Sequence, residues 1–169
     1  MRGKGYLMLV FLVLFVQVFV LNYLSITTYV VPMVYMVLIV MLPIESSQWK
    51  MLGVALAIGV LMDITTGHMG LNTLVTLPIA YFRRPILYSF AGLSTMSKEE
   101  GIPTRRKLGV RFHRYAITLI VLHSVLFLLA ERLSFVNFGW QMLRIVISTI
   151  VSLVLSYVIM ILFMKRLSA

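Results

Sequence analysis

The sequence predicts an all-α polytopic membrane protein with six transmembrane helices. Of its 169 residues, 61% are hydrophobic and only 12% are charged, and the apolar residues fall in long runs. Soluble domains contain about 25% charged residues, roughly twice this proportion. A membrane-spanning helix needs about 20 largely apolar residues. We therefore expect a single integral membrane domain over residues 1–169.

Each apolar run is a candidate span. Some are long enough by themselves, whereas others need flanking polar residues to cross the bilayer. The first run follows Arg2 and Lys4 and resembles a secretory signal, but no small-x-small cleavage site follows it, which favours a retained span. The expected spans are residues 6–24, 26–44, 51–66, 69–84, 115–131 and 140–163.

The basic residues predict the orientation. The chain has 15 Lys and Arg residues against five Asp and Glu, a net charge of +10. With the N-terminus inside, all of these cations except Arg132 and Arg144 lie in cytoplasmic segments, mostly in a predicted basic loop over 83–114. Cytoplasmic segments usually carry such an excess, so both termini are expected inside. The same loop could bind anionic lipid headgroups, and Arg144 is expected to snorkel outward.

Composition and motifs argue against several classes of function. A chain without cysteine has no disulfide, no Cys-ligated zinc and no iron–sulfur cluster. Its basic residues are concentrated in one loop, unlike the extended basic surfaces of nucleic-acid-binding proteins. The sequence has no His-Glu-x-x-His or Gly-x-Ser-x-Gly motif and a single aspartate. We therefore expect no metal, no cofactor, no nucleic-acid partner and no enzymatic activity.

Asp63 is the acidic residue placed well inside the first four predicted spans. Small residues precede it at helical spacing, Ala55 with Gly59 in one row and Gly53 with Ala57 in a second. Such rows let another helix approach closely, which predicts a face for a partner helix with Asp63 as its polar anchor. The alternative is structural, with Asp63 accepting hydrogen bonds from the backbone of the following turn.

The turn after Asp63 is a predicted hairpin. Gly67 and Gly70 lack a Cβ and can adopt the positive φ that a tight reversal requires. Asn72 follows them at the start of the next predicted span.

His123 lies about 12 Å below the start of the fifth predicted span. A neutral imidazole at this depth is expected either to bond to a carbonyl or hydroxyl inside the bundle, or to pair with a polar group of a neighbouring span or relay protons. The polar candidates are Asn22, Asp63 and Asn72. Glu131 is the nearest acidic residue in sequence, at the outer end of the same span.

The stretch from Gly59 to Asn72 resembles the signature of the MreD family, the rod shape-determining membrane proteins of bacteria. Its pattern is Gly-x3-Asp-x3-Gly-x2-Gly in an apolar setting. A second segment is similar to the His…Phe…Glu…Ser-Phe region of relatives from the Bacteroidetes lineage. It contains His123, Phe127 and Glu131, followed by Leu133-Ser134-Phe135.

This resemblance implies a non-catalytic scaffold of the bacterial cell-elongation complex, which supports peptidoglycan synthesis and cell shape from the cytoplasmic (inner) membrane. The implied direct partner is the membrane span of MreC, and the indirect ones are MreB, RodA and a class B penicillin-binding transpeptidase. The implied fold is similar to the S components of energy-coupling vitamin transporters. That fold leaves an alternative open, a transporter subunit that binds a small, vitamin-like molecule near Asp63, Asn72 and His123.

Overall fold

A computed structural model of the protein describes residues 2–22, 30–67, 69–92, 101–131 and 138–167. Over these ranges the chain is helical with irregular connections and no strand, which confirms the all-α class. A π-helical turn, Val16–Leu21, continues the first helix. The helices are α1 (Arg2–Phe15), α2 (Met36–Val40), α3 (Gln48–Thr66), α4 (Leu71–Ala91), α5 (Arg105–Leu108), α6 (Arg111–Glu131) and α7 (Phe138–Leu167).

Three of the described helices are long and apolar enough to cross a membrane. They are α3, α6 and the part of α7 from Met142 to Met164. They coincide with the predicted spans at 51–66, 115–131 and 140–163. The apolar helix Tyr6–Leu21 lies within the first predicted span but is shorter. These helices indicate a membrane protein, and the full set of six crossings stays a prediction.

The second predicted span is not one continuous helix. Within residues 30–44, which we call the buried segment, only Met36–Val40 is helical. Pro32 lacks an amide hydrogen and disfavours a helical conformation in the residue before it. Five helical residues rise only about 7.5 Å, too little to cross a bilayer. The described part of 26–44 is therefore not the continuous helix that the sequence predicts but the centre of the core, and its crossing of the membrane stays a prediction.

Helix α4 continues beyond residue 84, where its predicted span ends, to Ala91. A stripe of buried positions at helical spacing runs through Arg83 and Leu87 to Ala91, so packing holds this end of the helix in place. The predicted loop over 83–114 is consequently much shorter, because α5 and the start of α6 also lie within it. Residues 93–100 of that loop lie outside the described residues.

The helices surround α2. Helix α3 packs against α4, α4 against α6, and α6 against α7, while α2 touches α1, α3, α4, α6 and α7. All residues from Pro32 to Leu42 are buried. Since α2 and its extended flanks occupy the centre, their backbone polar groups must find partners on the helices around them.

Candidate functional site: the buried polar network

Asp63 joins the end of α3 to the start of α4. Its Oδ1 accepts the backbone N–H of Asn72 at 2.8 Å, and its Oδ2 accepts the N–H of Thr73 at 3.0 Å and the Thr73 hydroxyl at 2.6 Å. These amides belong to the first turn of α4 and have no partner within the helix. The contacts fit the structural interpretation of Asp63, except that its donors lie just beyond the turn.

Glycines shape the reversal between these two helices. Gly67 has a φ of 71° and Gly70 a φ of 79°, both in the left-handed region that favours glycine. The reversal brings the first turn of α4 back beside Asp63, so that the carboxylate can reach its amides.

The small-residue rows of α3 have different surroundings. A Cβ on Gly59 would lie 2.7 Å from the Cα of Thr73, so this glycine lets α3 and α4 pack closely. Ala55 is fully buried. The expectation that a partner helix packs on Ala55 and Gly59 is therefore wrong at Gly59, where the chain's own α4 occupies that place. Gly53 and Ala57 are exposed, and a Cβ on Gly53 would meet no atom within 4 Å in the part of the chain that the structure describes.

Asn72 connects the hairpin to the core. Its side-chain amide donates to Asp63 Oδ1 at 3.0 Å and to Thr66 Oγ1 at 3.2 Å, while its Oδ1 accepts the Tyr35 hydroxyl at 3.0 Å. The same hydroxyl lies 2.9 Å from Nε2 of His123. Sequence reasoning singled out Asp63, Asn72 and His123, and the structure brings them into one network through Tyr35, which it missed.

The directions of these hydrogen bonds follow from the carboxylate. Asp63 accepts from the Asn72 NH2 group, so the Asn72 oxygen faces Tyr35 and the Tyr35 hydroxyl donates to it. The Tyr35 oxygen is then the acceptor for His123, which requires a proton on Nε2. Nδ1 of His123 is buried and has no hydrogen-bond partner among the described residues. Because the Asn72 amide does not titrate, it cannot pass a proton between Asp63 and Tyr35, and the arrangement orients side chains.

The N-terminal part of the buried segment is bound by side chains of other helices. Oε1 of Gln17 accepts the N–H of Val34 at 2.7 Å, and its Nε2 donates to the Pro32 carbonyl at 3.1 Å. Nε2 of Gln17 also donates to the side-chain oxygen of Asn22 at 3.2 Å. A buried glutamine thus supplies both an acceptor and a donor to backbone that lacks helical partners.

Serines of α7 bind the same segment. Ser148 Oγ accepts the N–H of Val31 at 3.2 Å and Ser152 Oγ accepts the N–H of Met33 at 2.9 Å. Four helical residues rise about 6.0 Å and two extended residues span about 6.6 Å. The two repeats match, so one face of a helix can bind alternate amides of this non-helical segment.

The carbonyl end of α2 is bound by long side chains. Arg83 is completely buried and donates to the carbonyls of Val40 and Leu42 and to the sulfur of Met51. The Tyr115 hydroxyl donates to the same Val40 carbonyl at 3.0 Å. Cations at helix C-termini stabilise the last carbonyls. Arg83 is therefore a structural cation within α4, where the sequence predicted a loop residue.

Tyr6 of α1 binds the same helix nearer its middle, donating from its hydroxyl to the Leu38 carbonyl at 3.1 Å. Tyr6 and Tyr115 are the first residues of the predicted spans 6–24 and 115–131, and nothing in the sequence near them indicates a role in the core. Their acceptors are carbonyls of α2, so only the packing of the helices identifies this role.

Glu131 and Arg144 form an ion pair that joins α6 to α7. Nη1 of Arg144 lies 2.9 Å from Oε2 of Glu131, and Nη2 lies 3.2 Å from Oε1. The Arg144 side chain is only 10% exposed and the Glu131 side chain 20%. Arg144 therefore does not snorkel outward as predicted, because its charge has a carboxylate partner on the neighbouring helix.

The described residues include no group of three or more His, Cys, Asp or Glu side chains that could hold a metal ion. An open cavity of about 690 Å³ lies beside Asp63, with Thr73 and the hairpin glycines in its lining. Comparisons of the chain with protein-family models, curated proteins and solved structures found no match. Membership of the MreD family and likeness to S components stay predictions.

Proposed function

We propose that this chain is a non-catalytic membrane scaffold of the cell-elongation complex, as its resemblance to the MreD family implies. The observation that carries this proposal is how its intramembrane polar groups are used. Asp63 binds the start of α4, His123 faces Tyr35, and Glu131 pairs with Arg144. Groups held in this way fix helices relative to one another, which suits a protein that presents a rigid surface to partners.

The partner surface we propose is the exposed side of α3. Gly53 and Ala57 stand four residues apart on this side, and Val60 and Ile64 continue it at helical spacing. Small residues at such spacing allow a second helix to approach closely. The surface suits a single membrane span such as that of MreC. In this proposal MreB, RodA and the class B penicillin-binding transpeptidase are indirect partners, linked to this chain through MreC.

Co-purification with MreC of the same bacterium tests this proposal. We expect the double variant Gly53→Leu, Ala57→Leu to lose most of the MreC recovered with the wild type, because its side chains would hold a partner helix away. Gly139→Leu is the matched control, since Gly139 is also exposed and a Cβ there would meet no atom of the described residues within 4 Å. Undiminished recovery in the double variant rejects the surface, whereas no recovery with the wild type rejects the function.

The cavity beside Asp63 favours a second candidate, the binding of a small, vitamin-like molecule by a transporter subunit. Its lining combines the Asp63 carboxylate and Thr73 with apolar residues, as small-molecule sites do. Leu74 lines the cavity and is 65% exposed. Native mass spectrometry of the purified protein should then detect a bound vitamin that Leu74→Trp removes. Absence of any such ligand from the wild type would count against this candidate.

A further inference from the structure

A narrow apolar cleft lies between α6 and α7. Its volume is about 320 Å³. Tyr157 also lines the cleft, and its hydroxyl lies 3.1 Å from Nδ1 of His113. Because this hydroxyl already has a hydrogen-bond partner, the surface that the cleft presents to a ligand is apolar. Its walls include Ala116, Ile117 and Ile120 from α6 and Leu153, Val154 and Val158 from α7.

The cleft is at the depth of lipid acyl chains. The fifth predicted span begins at Tyr115, and a rise of 1.5 Å per residue puts Ala116 about 1.5 Å and Ile120 about 7.5 Å further along. The hydrocarbon half-thickness of a bilayer is about 15 Å. The α6 wall of the cleft thus lies in the half of the acyl region nearest the headgroups, in the leaflet in which α6 begins.

Exposed cations precede the α6 residues of the cleft in the sequence. They are Arg105, Arg106, Arg111 and Arg114, and no acidic side chain follows Glu99 and Glu100 until Glu131. An acidic side chain from elsewhere in the chain, Glu45, binds the start of this region: its Oε2 accepts the N–H of Gly101 at 2.6 Å. Each cation at a leaflet surface strengthens attraction for anionic lipids by about fivefold.

Arg114 is the cation best placed to use the cleft. It precedes Ile117 by three residues and so adjoins it on the surface of α6. Helical side chains point toward the N-terminus of their helix, which here is the headgroup side. Arg111 differs, because its Nη1 donates to the Ala91 carbonyl of α4 at 3.1 Å.

We propose that the cleft between α6 and α7 binds an acyl chain of an anionic phospholipid whose phosphate is held by Arg114. The guanidinium fork matches the geometry of a phosphate, and the apolar walls match an acyl chain. A protein helix is a poorer fit, because close helix contacts in membranes need rows of small residues and the walls named above are mostly branched side chains. The proposal does not depend on the scaffold function.

Native mass spectrometry of the purified protein tests the site in micelles that contain equal amounts of phosphatidylglycerol and phosphatidylcholine. The wild type should retain phosphatidylglycerol preferentially, by about fivefold if one cation decides the preference. Ile117→Trp fills the cleft and should abolish retention. Leu129→Trp is its matched control on the same helix, since Leu129 is 41% exposed and Ile117 is 45% exposed.

A second pair of variants separates a bound phosphate from general attraction. Arg114→Gln should remove the preference for phosphatidylglycerol, whereas Arg111→Gln, which removes the same charge on the α4 side, should retain it. The proposal fails if Ile117→Trp and Leu129→Trp retain the lipid equally, if the two arginine variants behave alike, or if the wild type shows no preference. Thermal unfolding in detergent verifies that each variant is folded.

Discussion

In the α3–α4 hairpin, the carboxylate of Asp63 accepts from amides that lie only nine and ten residues further along the chain. In the buried segment, by contrast, the N–H of Met33 bonds to Ser152, 119 residues away. Both regions must provide partners for backbone groups that lack helical ones. The hairpin does so with one side chain of a neighbouring helix, and the segment recruits Gln17, Ser148 and Arg83 from three helical elements.

This difference predicts how each region responds to mutation. The hairpin depends on a single acceptor and a close helix contact, so its important positions are few. The buried segment depends on several side chains, of which Gln17 and Arg83 bind backbone atoms at opposite ends. We expect additive losses from substitutions at these two sites, because substitutions without shared partners usually act independently. Arg83 and Tyr115 share the Val40 carbonyl, so their losses should not add.

The largest expected effect is in the buried segment. Gln17→Leu should lower the free energy of unfolding by about 2–6 kcal/mol, because it leaves the Val34 N–H and the Pro32 carbonyl unpaired and each costs about 1–3 kcal/mol. Titration of mixed micelles with sodium dodecyl sulfate measures this energy. Phe19→Leu is the control on the same turn, since Phe19 is 63% exposed. Equal losses in the two variants would contradict the assigned role of Gln17.

At the hairpin, Asp63→Ala should cost about 3 kcal/mol, since hydrogen bonds to charged groups are the strongest of those lost on mutation. Asp63→Asn keeps one carbonyl oxygen as an acceptor and should recover part of that loss. The same micelle titration measures both variants. Equal destabilisation by alanine and asparagine would show that the remaining carbonyl oxygen does not bind the first turn of α4.

The close contact between α3 and α4 beside Asp63 has the next largest expected effect on stability. Gly59→Leu should cost about 2 kcal/mol, as expected for overpacking against a neighbour, because its Cβ would collide with the backbone of Thr73. Gly53→Leu, on the open side of the same helix, should cost nothing. Thermal unfolding in detergent compares the two. A stable Gly59→Leu variant would mean that α3 and α4 separate more easily than their packing indicates.

The smallest effect distinguishes neighbouring serines of α7. Ser152→Ala should cost about 1 kcal/mol, the usual contribution of one hydrogen bond, because it removes the acceptor of the Met33 amide. Ser156→Ala should be neutral, since the Ser156 hydroxyl is equally buried but has no partner in the described part of the chain. Micelle titration of both variants makes the comparison. Similar losses would argue that α7 binds the segment by packing alone.

The hairpin was accessible to prediction because its signals are close together in sequence. Asp63, Gly67, Gly70 and Asn72 lie within ten residues, and the structure gathers them at one reversal. The sequence does not show which of the two small-residue rows of α3 faces α4. Ala55 with Gly59 and Gly53 with Ala57 have the same spacing, and the position of α4 decides that one row is covered and the other open.

The interruption of the helix in the buried segment was not predicted, because the composition of this segment is that of a continuous span. Residues 26–44 are strongly apolar, and an apolar run is equally typical of a core segment. Pro32 was the local sign of an interruption. The partners that make extended backbone tolerable at this depth are on other helices, and no pattern within the segment identifies them.

The sequence by itself determined that this is a helical protein of the membrane, because apolar content and charge depletion are properties of the chain as a whole. It also determined the hairpin, whose groups interact over a few residues. Only the tertiary structure decided that Tyr35 joins Asn72 to His123, that Arg83 binds the end of α2, and that Glu131 neutralises Arg144. Such pairings depend on which helix faces cross in space, and periodicity along one helix carries no information about its neighbours.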